Sequence, residues 1–132
     1  MLSRIVNGVL LVLAGAVIGG IGTVAHRVTV DWGVTVPLGL IGALVAYTTL
    51  LVGLRLLGRS RVPALLAAIG TIATVLLFTQ QSAGGSVLIP NDLLGQIWLV
   101  APILIAAVVV AWPDLRGRRA GAAPESAPAV SE

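Results

Sequence analysis

Residues Ile5 to Ala25 run for 21 positions without a charged side chain. A helix of that length covers about 31 Å, the thickness of a bilayer's hydrocarbon core. Set into it are Gly8, Gly15, Gly19 and Gly22, spaced seven, four and three apart. At about 100° per residue the four fall on one helix face. A flat glycine face lets a second helix lie close against the backbone, the usual way helices associate in lipid. The segment is expected to be the central transmembrane helix of a small bundle.

The rest of the chain fits the same solvent. Of 132 residues, 58% are apolar and 10% charged. A water-soluble domain carries roughly 25% charged residues, so this chain lacks the charge to coat a wetted surface. Three further apolar spans follow, over about 34–57, 62–78 and 93–112. Together with 5–25 they predict an all-α integral membrane four-helix bundle over residues 1–115. Pro37 and Pro63 suit helix starts, where a missing N–H costs nothing. Asn91 or Asp92 is a natural N-cap for the last span, and Pro102 falls inside it. From Ala120 on the chain is almost entirely Ala, Pro, Ser, Gly and Glu with little to bury, and residues 116–132 read as a disordered cytoplasmic tail.

The loops set the topology. The first runs from His26 to Val36 and holds Arg27, Asp31 and Trp32. The second, Gly58 to Arg61, is short and basic, so it joins adjacent antiparallel helices. The third, Thr79 to Asp92, is polar, then glycine-rich, then apolar at Val87-Leu88-Ile89. Arg4, Arg55, Arg59, Arg61, Arg116, Arg118 and Arg119 flank one side of this arrangement, and Arg27 alone the other. Basic residues collect on the cytoplasmic side. A multi-pass protein of the plasma (cell) membrane with both termini inside is therefore expected. A cleaved signal peptide is the rival reading of the first segment, with Arg4 as its basic lead and Thr23-Val24-Ala25 as a weak cleavage site. The apolar run exceeds the usual 7–15 residues of such a signal.

Several chemistries lack their residues. There are no cysteines, hence no disulfide, thiolate metal site or cysteine nucleophile. Basic residues sit at segment ends with no interleaved aromatics, which excludes a nucleic-acid footprint. Gly20-Ile21-Gly22-Thr23-Val24-Ala25 matches the G-x-G-x-x-A dinucleotide pattern, but the next acidic residue is Asp31, and a second span follows where a soluble crossover is needed. No Asp, Glu, Lys or His lies near mid-span, where an ionisable group would point to coupled transport. No cofactor, metal or catalytic residue is assigned.

Two residue sets remain. The first is for packing: Gly8, Gly15, Gly19 and Gly22 on the first span, and Gly39, Ala43, Ala46 and Gly53 on the second. The other is a polar cluster on the outer face, His26, Asp31, Gln81 and Asp92, with Arg27, Gln80 and Asn91 nearby. His26 lies four residues after Gly22 and so continues the glycine face into the bundle rim. Interfacial caps are the plain reading of this cluster; a proton relay or ligand gate at His26 is the alternative.

The segment Gly19-Gly20-Ile21-Gly22-Thr23-Val24-Ala25-His26, and the stretch Gln81-Ser82-Ala83-Gly84-Gly85-Ser86-Val87-Leu88-Ile89-Pro90 leading to Asp92 and Gly95, resemble a family of small four-span membrane proteins from actinobacteria. That family has no assigned activity, so the resemblance implies a fold and transfers no site residue. The function expected is that of a non-catalytic accessory or assembly subunit in the lipid bilayer. It would pack through glycine-rich faces against a membrane-protein partner or copies of itself. A small-solute permease or channel element, lined by Thr71, Thr74, Tyr47 and Asn7, is the alternative, and a membrane enzyme using His26 the third.

Overall fold

In the computed structural model, which describes residues 1–80 and 92–113, four helices carry the chain. They are α1 (Leu2–Ala25), α2 (Leu38–Leu57), α3 (Val62–Thr79) and α4 (Leu93–Ala111). All four are long and apolar enough to cross a membrane. The chain is an all-α, multi-pass membrane bundle. The tail expected over 116–132 lies outside the described residues, as does most of the loop between α3 and α4.

The bounds agree with the apolar runs except at the second span. There, Val34 is not helical. Val30–Asp31 (β1) pairs antiparallel with Thr35–Val36 (β2) in a small hairpin, Val30 opposite Val36 and Asp31 opposite Thr35. Gly33 takes φ +83° in its turn, a conformation that favours glycine. The ladder holds Thr35 and Val36 extended, Pro37 follows, and the helix opens at Leu38. Gly39 N–H then donates to Val28 O at 2.9 Å, tying the start of α2 to the end of α1.

Helix directions follow from the side chains that meet. Gly15 lies against Ala67 and Gly19 against Thr71, so α1 and α3 are parallel. Tyr47 meets Pro102 and Arg55 meets Val109, so α2 and α4 are also parallel. Gly22 approaches Ala43, and Gly39 approaches Ala25; α1 and α2 are antiparallel. The most extensive interface joins α1 to α3, two helices separated in sequence by all of α2.

That interface is built from backbone. A Cβ on Gly15 would run into the Ala67 carbonyl, 2.8 Å from its carbon. One on Gly19 would lie 2.8 Å from Thr71 O, and one on Gly70 would strike the Val12 carbonyl from the α3 side. Real Cβ atoms do not come so near. Thr71 Oγ1 donates to Gly15 O at 2.7 Å across the contact. The small residues of both helices thus admit a side-chain-to-main-chain bond between them.

The expectation that α1 is the central helix needs correction. The most enclosed helix is α3, which touches the other three and buries Ala64, Ala67, Ala68, Gly70, Thr71 and Val75. The second glycine stripe also differs from expectation. Gly39 and Ala43 pack near α1, but Ala46 is exposed and a Cβ on Gly53 would meet nothing within 4 Å. The reason is rotational. Leu40, Tyr47 and Leu51 are the buried residues of α2, and they sit about 100° round the helix from the stripe. Bulky side chains, not small ones, turn α2 towards the core. A Cβ on Gly8 would make only ordinary contact, 3.5 Å from Leu66 Cδ1.

Candidate functional site

The polar residues gather at the end of the bundle where α1 stops. His26 is the C-cap of α1, and its N–H donates to Gly22 O at 2.8 Å. Its ring folds back, with Nδ1 2.6 Å from Thr23 O. A carbonyl only accepts, so Nδ1 carries a hydrogen in this contact. The imidazole is fully buried, and Nε2 has no hydrogen-bond partner among the described residues.

Trp98 of α4 covers it. The two rings stack with centroids 6.1 Å apart and planes 8° from parallel. The indole fits because position 22 has no side chain: a Cβ there would strike Trp98 Cη2 and Cζ2. Trp98 Nε1 donates to Thr23 Oγ1 at 3.0 Å, and Thr23 Oγ1 donates to Gly19 O at 2.7 Å. Gly22, Thr23 and His26 of one helix face therefore form a socket for one tryptophan. Burying the indole satisfies its N–H, as such a ring requires.

Above the socket, Asp92 caps α4. Its Oδ1 accepts from Gly95 N at 2.9 Å, and Oδ2 pairs with Arg27 Nη2 at 3.2 Å. The Gly95 N–H is the main cause that holds this carboxyl below its ordinary range, and Arg27 adds to it. Both side chains are partly exposed, so the pair is a solvated bridge between the end of α1 and the start of α4.

Of the expected outer-face cluster, His26 and Asp92 come to this end of the bundle and are linked through Arg27 and Trp98. Asp31 does not join them. It is exposed in the hairpin and accepts from Thr35 Oγ1 at 2.7 Å. Gln80 is an exposed C-cap of α3, and Gln81 and Asn91 lie outside the described residues. Among the described residues no three metal-ligating side chains converge. Thr23 and Trp98 are the site residues that sequence reasoning missed. A signal existed, since Thr23 falls on the same face as Gly19, Gly22 and His26, but nothing in the sequence named the side chain that fills the gap.

The residues considered as a solute path have other partners. Tyr47 Oη donates to Pro102 O at 3.1 Å, Thr71 to Gly15 O, and Thr74 to Gly70 O at 2.9 Å. Asn7 is exposed on the outside of α1. Arg55, a basic residue near the end of its span, turns to α4. Its Nε donates to Val109 O at 3.1 Å and its Nη2 to Trp112 O at 2.6 Å. These carbonyls lie at the end of a helix with no basic residue in its own last turn, where a cation is favoured by the helix dipole.

No protein-family model matches the chain, and no curated protein or solved structure is significantly similar to it.

Proposed function

We propose that this protein is a non-catalytic accessory or assembly subunit of the plasma membrane, and that it docks a transmembrane helix of a partner protein or of a second copy. The observation that carries this reading is the outward face of α2. Gly42, Ala46, Thr49 and Gly53 fall within about 60° of arc, and Gly42 and Gly53 have nothing within 4 Å of a Cβ placed on them. The face is flat and lies opposite the buried Leu40, Tyr47 and Leu51. Thr49 bonds back to Val45 O at 2.7 Å, so the stripe presents no unpaired hydroxyl to lipid. It offers the same close approach that Gly15 and Gly70 give inside the bundle.

The interior supports a structural role. Thr23, Tyr47, Arg55, Thr71 and Trp98 each use their polar atoms to join one helix to another or to their own backbone. The parallel course of α1 and α3 puts Arg4, Arg59 and Arg61 at one end, which favours cytoplasmic termini. Membership of the actinobacterial family belongs to the same reading.

The test replaces Gly42 and Gly53 together by isoleucine in the tagged protein. Both sites are open, so the bundle should keep its thermal stability. Complexes recovered from native membranes in mild detergent should disappear. If the same complexes persist, assembly does not run through this face, and the reading fails.

A further inference from the structure

The end of the bundle opposite His26 carries positive charge with no acidic partner among the described residues. Arg4, Arg59 and Arg61 are all exposed. They share one level: Gly8 lies beside Leu66, and Arg4 and Arg61 are each about one turn further towards the helix starts. Neither α1 nor α3 has an acidic residue in its first turn or a side chain capping it, so both dipoles add to the field there. Two negative helix ends lie at this level, those of α2 and α4, and Arg55 serves both: it sits in the last turn of α2 and donates to the carbonyls at the end of α4. Among the described residues the ion pair is Arg27 with Asp92, at the far end, and Asp31 is at the far end too.

Depth is set by Trp112. It closes α4 at the same end and is 58% exposed, as suits an indole at the headgroup level. We infer that Arg4, Arg59 and Arg61 form a binding surface for the phosphate groups of anionic phospholipids. A guanidinium matches a phosphate with two parallel hydrogen bonds. The three arginines here face the layer in which lipid phosphates lie. A zwitterionic lipid brings its own cation to that layer and is the weaker ligand.

The experiment uses the full chain in mild detergent, titrated with phosphatidylglycerol or phosphatidylcholine and read by native mass spectrometry. Wild type should prefer phosphatidylglycerol. The triple variant Arg4→Gln, Arg59→Gln, Arg61→Gln should lose that preference by a factor on the order of 100, about fivefold per arginine. Arg27→Gln, at the far end, should keep it, and the triple lysine variant should restore most of it. Should the glutamine variant fail to fold, salt decides on wild type: the preference should fall steeply between low and high ionic strength. A salt-independent preference, or one retained by the glutamine variant or lost equally in Arg27→Gln, overturns the inference. So does displacement of the lipid by millimolar inorganic phosphate, which would make the ligand a soluble anion.

Discussion

A single methyl group at Gly15 tests how the bundle is held. In Gly15→Ala the new Cβ would sit 2.8 Å from the Ala67 carbonyl carbon and 3.0 Å from its Cα. Carbon atoms rest at about 3.5–4.0 Å, so α1 and α3 must part by roughly 1 Å. That movement takes the Thr71 Oγ1 to Gly15 O bond, now 2.7 Å, beyond hydrogen-bonding range. An interhelical bond in lipid contributes about 0.6 kcal/mol. The low end applies because Thr71 can fall back on Ala67 O, 3.1 Å away in its own helix. Overpacking adds about 1–3 kcal/mol. Alanine's better helix propensity returns about 0.5–1 kcal/mol. The net is a loss of about 1–3 kcal/mol, and Gly15→Leu should prevent the bundle from closing. The assay is reversible unfolding in mixed micelles, followed by the fluorescence of the tryptophans, with Gly53→Ala as the matched control. Position 53 has nothing within 4 Å, so that variant should be as stable as wild type or slightly more so. If Gly15→Ala and Gly53→Ala behave alike, close backbone contact is not what holds α1 to α3.

The other end of the bundle gives two further expectations. Trp98→Phe keeps an aromatic ring beside His26 but removes the donor to Thr23 Oγ1, and should lower stability by about 0.5–1.5 kcal/mol, measured in the same unfolding assay. The Asp92 carboxyl is depressed in the folded protein, first by the Gly95 N–H. Its contribution is therefore complete above the unfolded value of about 3.9 and is lost as pH falls through the lower folded value. Asp92→Asn should flatten that acid limb of the stability curve, and an unchanged limb would assign it to another group.

The membrane class, the number of helices and most of their limits were legible because four apolar runs of about 17 residues or more, charged at most near an end, are each long enough to cross lipid. The glycine face of α1 was equally plain, since Gly15, Gly19 and Gly22 recur at helical spacing. Which helix fills that face was not. Sequence adjacency points to α2, whereas α3 supplies Ala67, Gly70 and Thr71. A stripe of small residues says that something comes close, and it does not say what. On α2 the same signal misled, because Tyr47 and Leu51 turn the opposite face inward and leave Gly53 open. His26 was placed correctly on the rim by its register with Gly22. Its partner was not readable, since Trp98 lies 72 positions along the chain and no local pattern links the two. Arg55 shows the complementary failure. Near a span end, a basic residue reads as one that reaches water, and only the parallel course of α2 and α4 reveals the carbonyls it meets.

The skipped neighbour in the α1–α3 contact has a consequence for how the protein is made. Synthesis delivers α1 first and α3 third, so Gly15 and Gly19 of α1 lack their bundle partners, Ala67 and Thr71, until α3 inserts. The hairpin of α1 and α2 is held meanwhile by its short β-ladder and the bond from Gly39 to Val28. A ribosome stalled before Val62 would release a half-protein with a backbone-deep groove exposed to lipid, a natural substrate for quality-control proteases. The same arrangement makes the two halves complementary. Chains 1–58 and 59–132, produced separately in one membrane, each hold one side of the α1–α3 seam and one side of the α2–α4 seam, and the fold gives them reason to find each other.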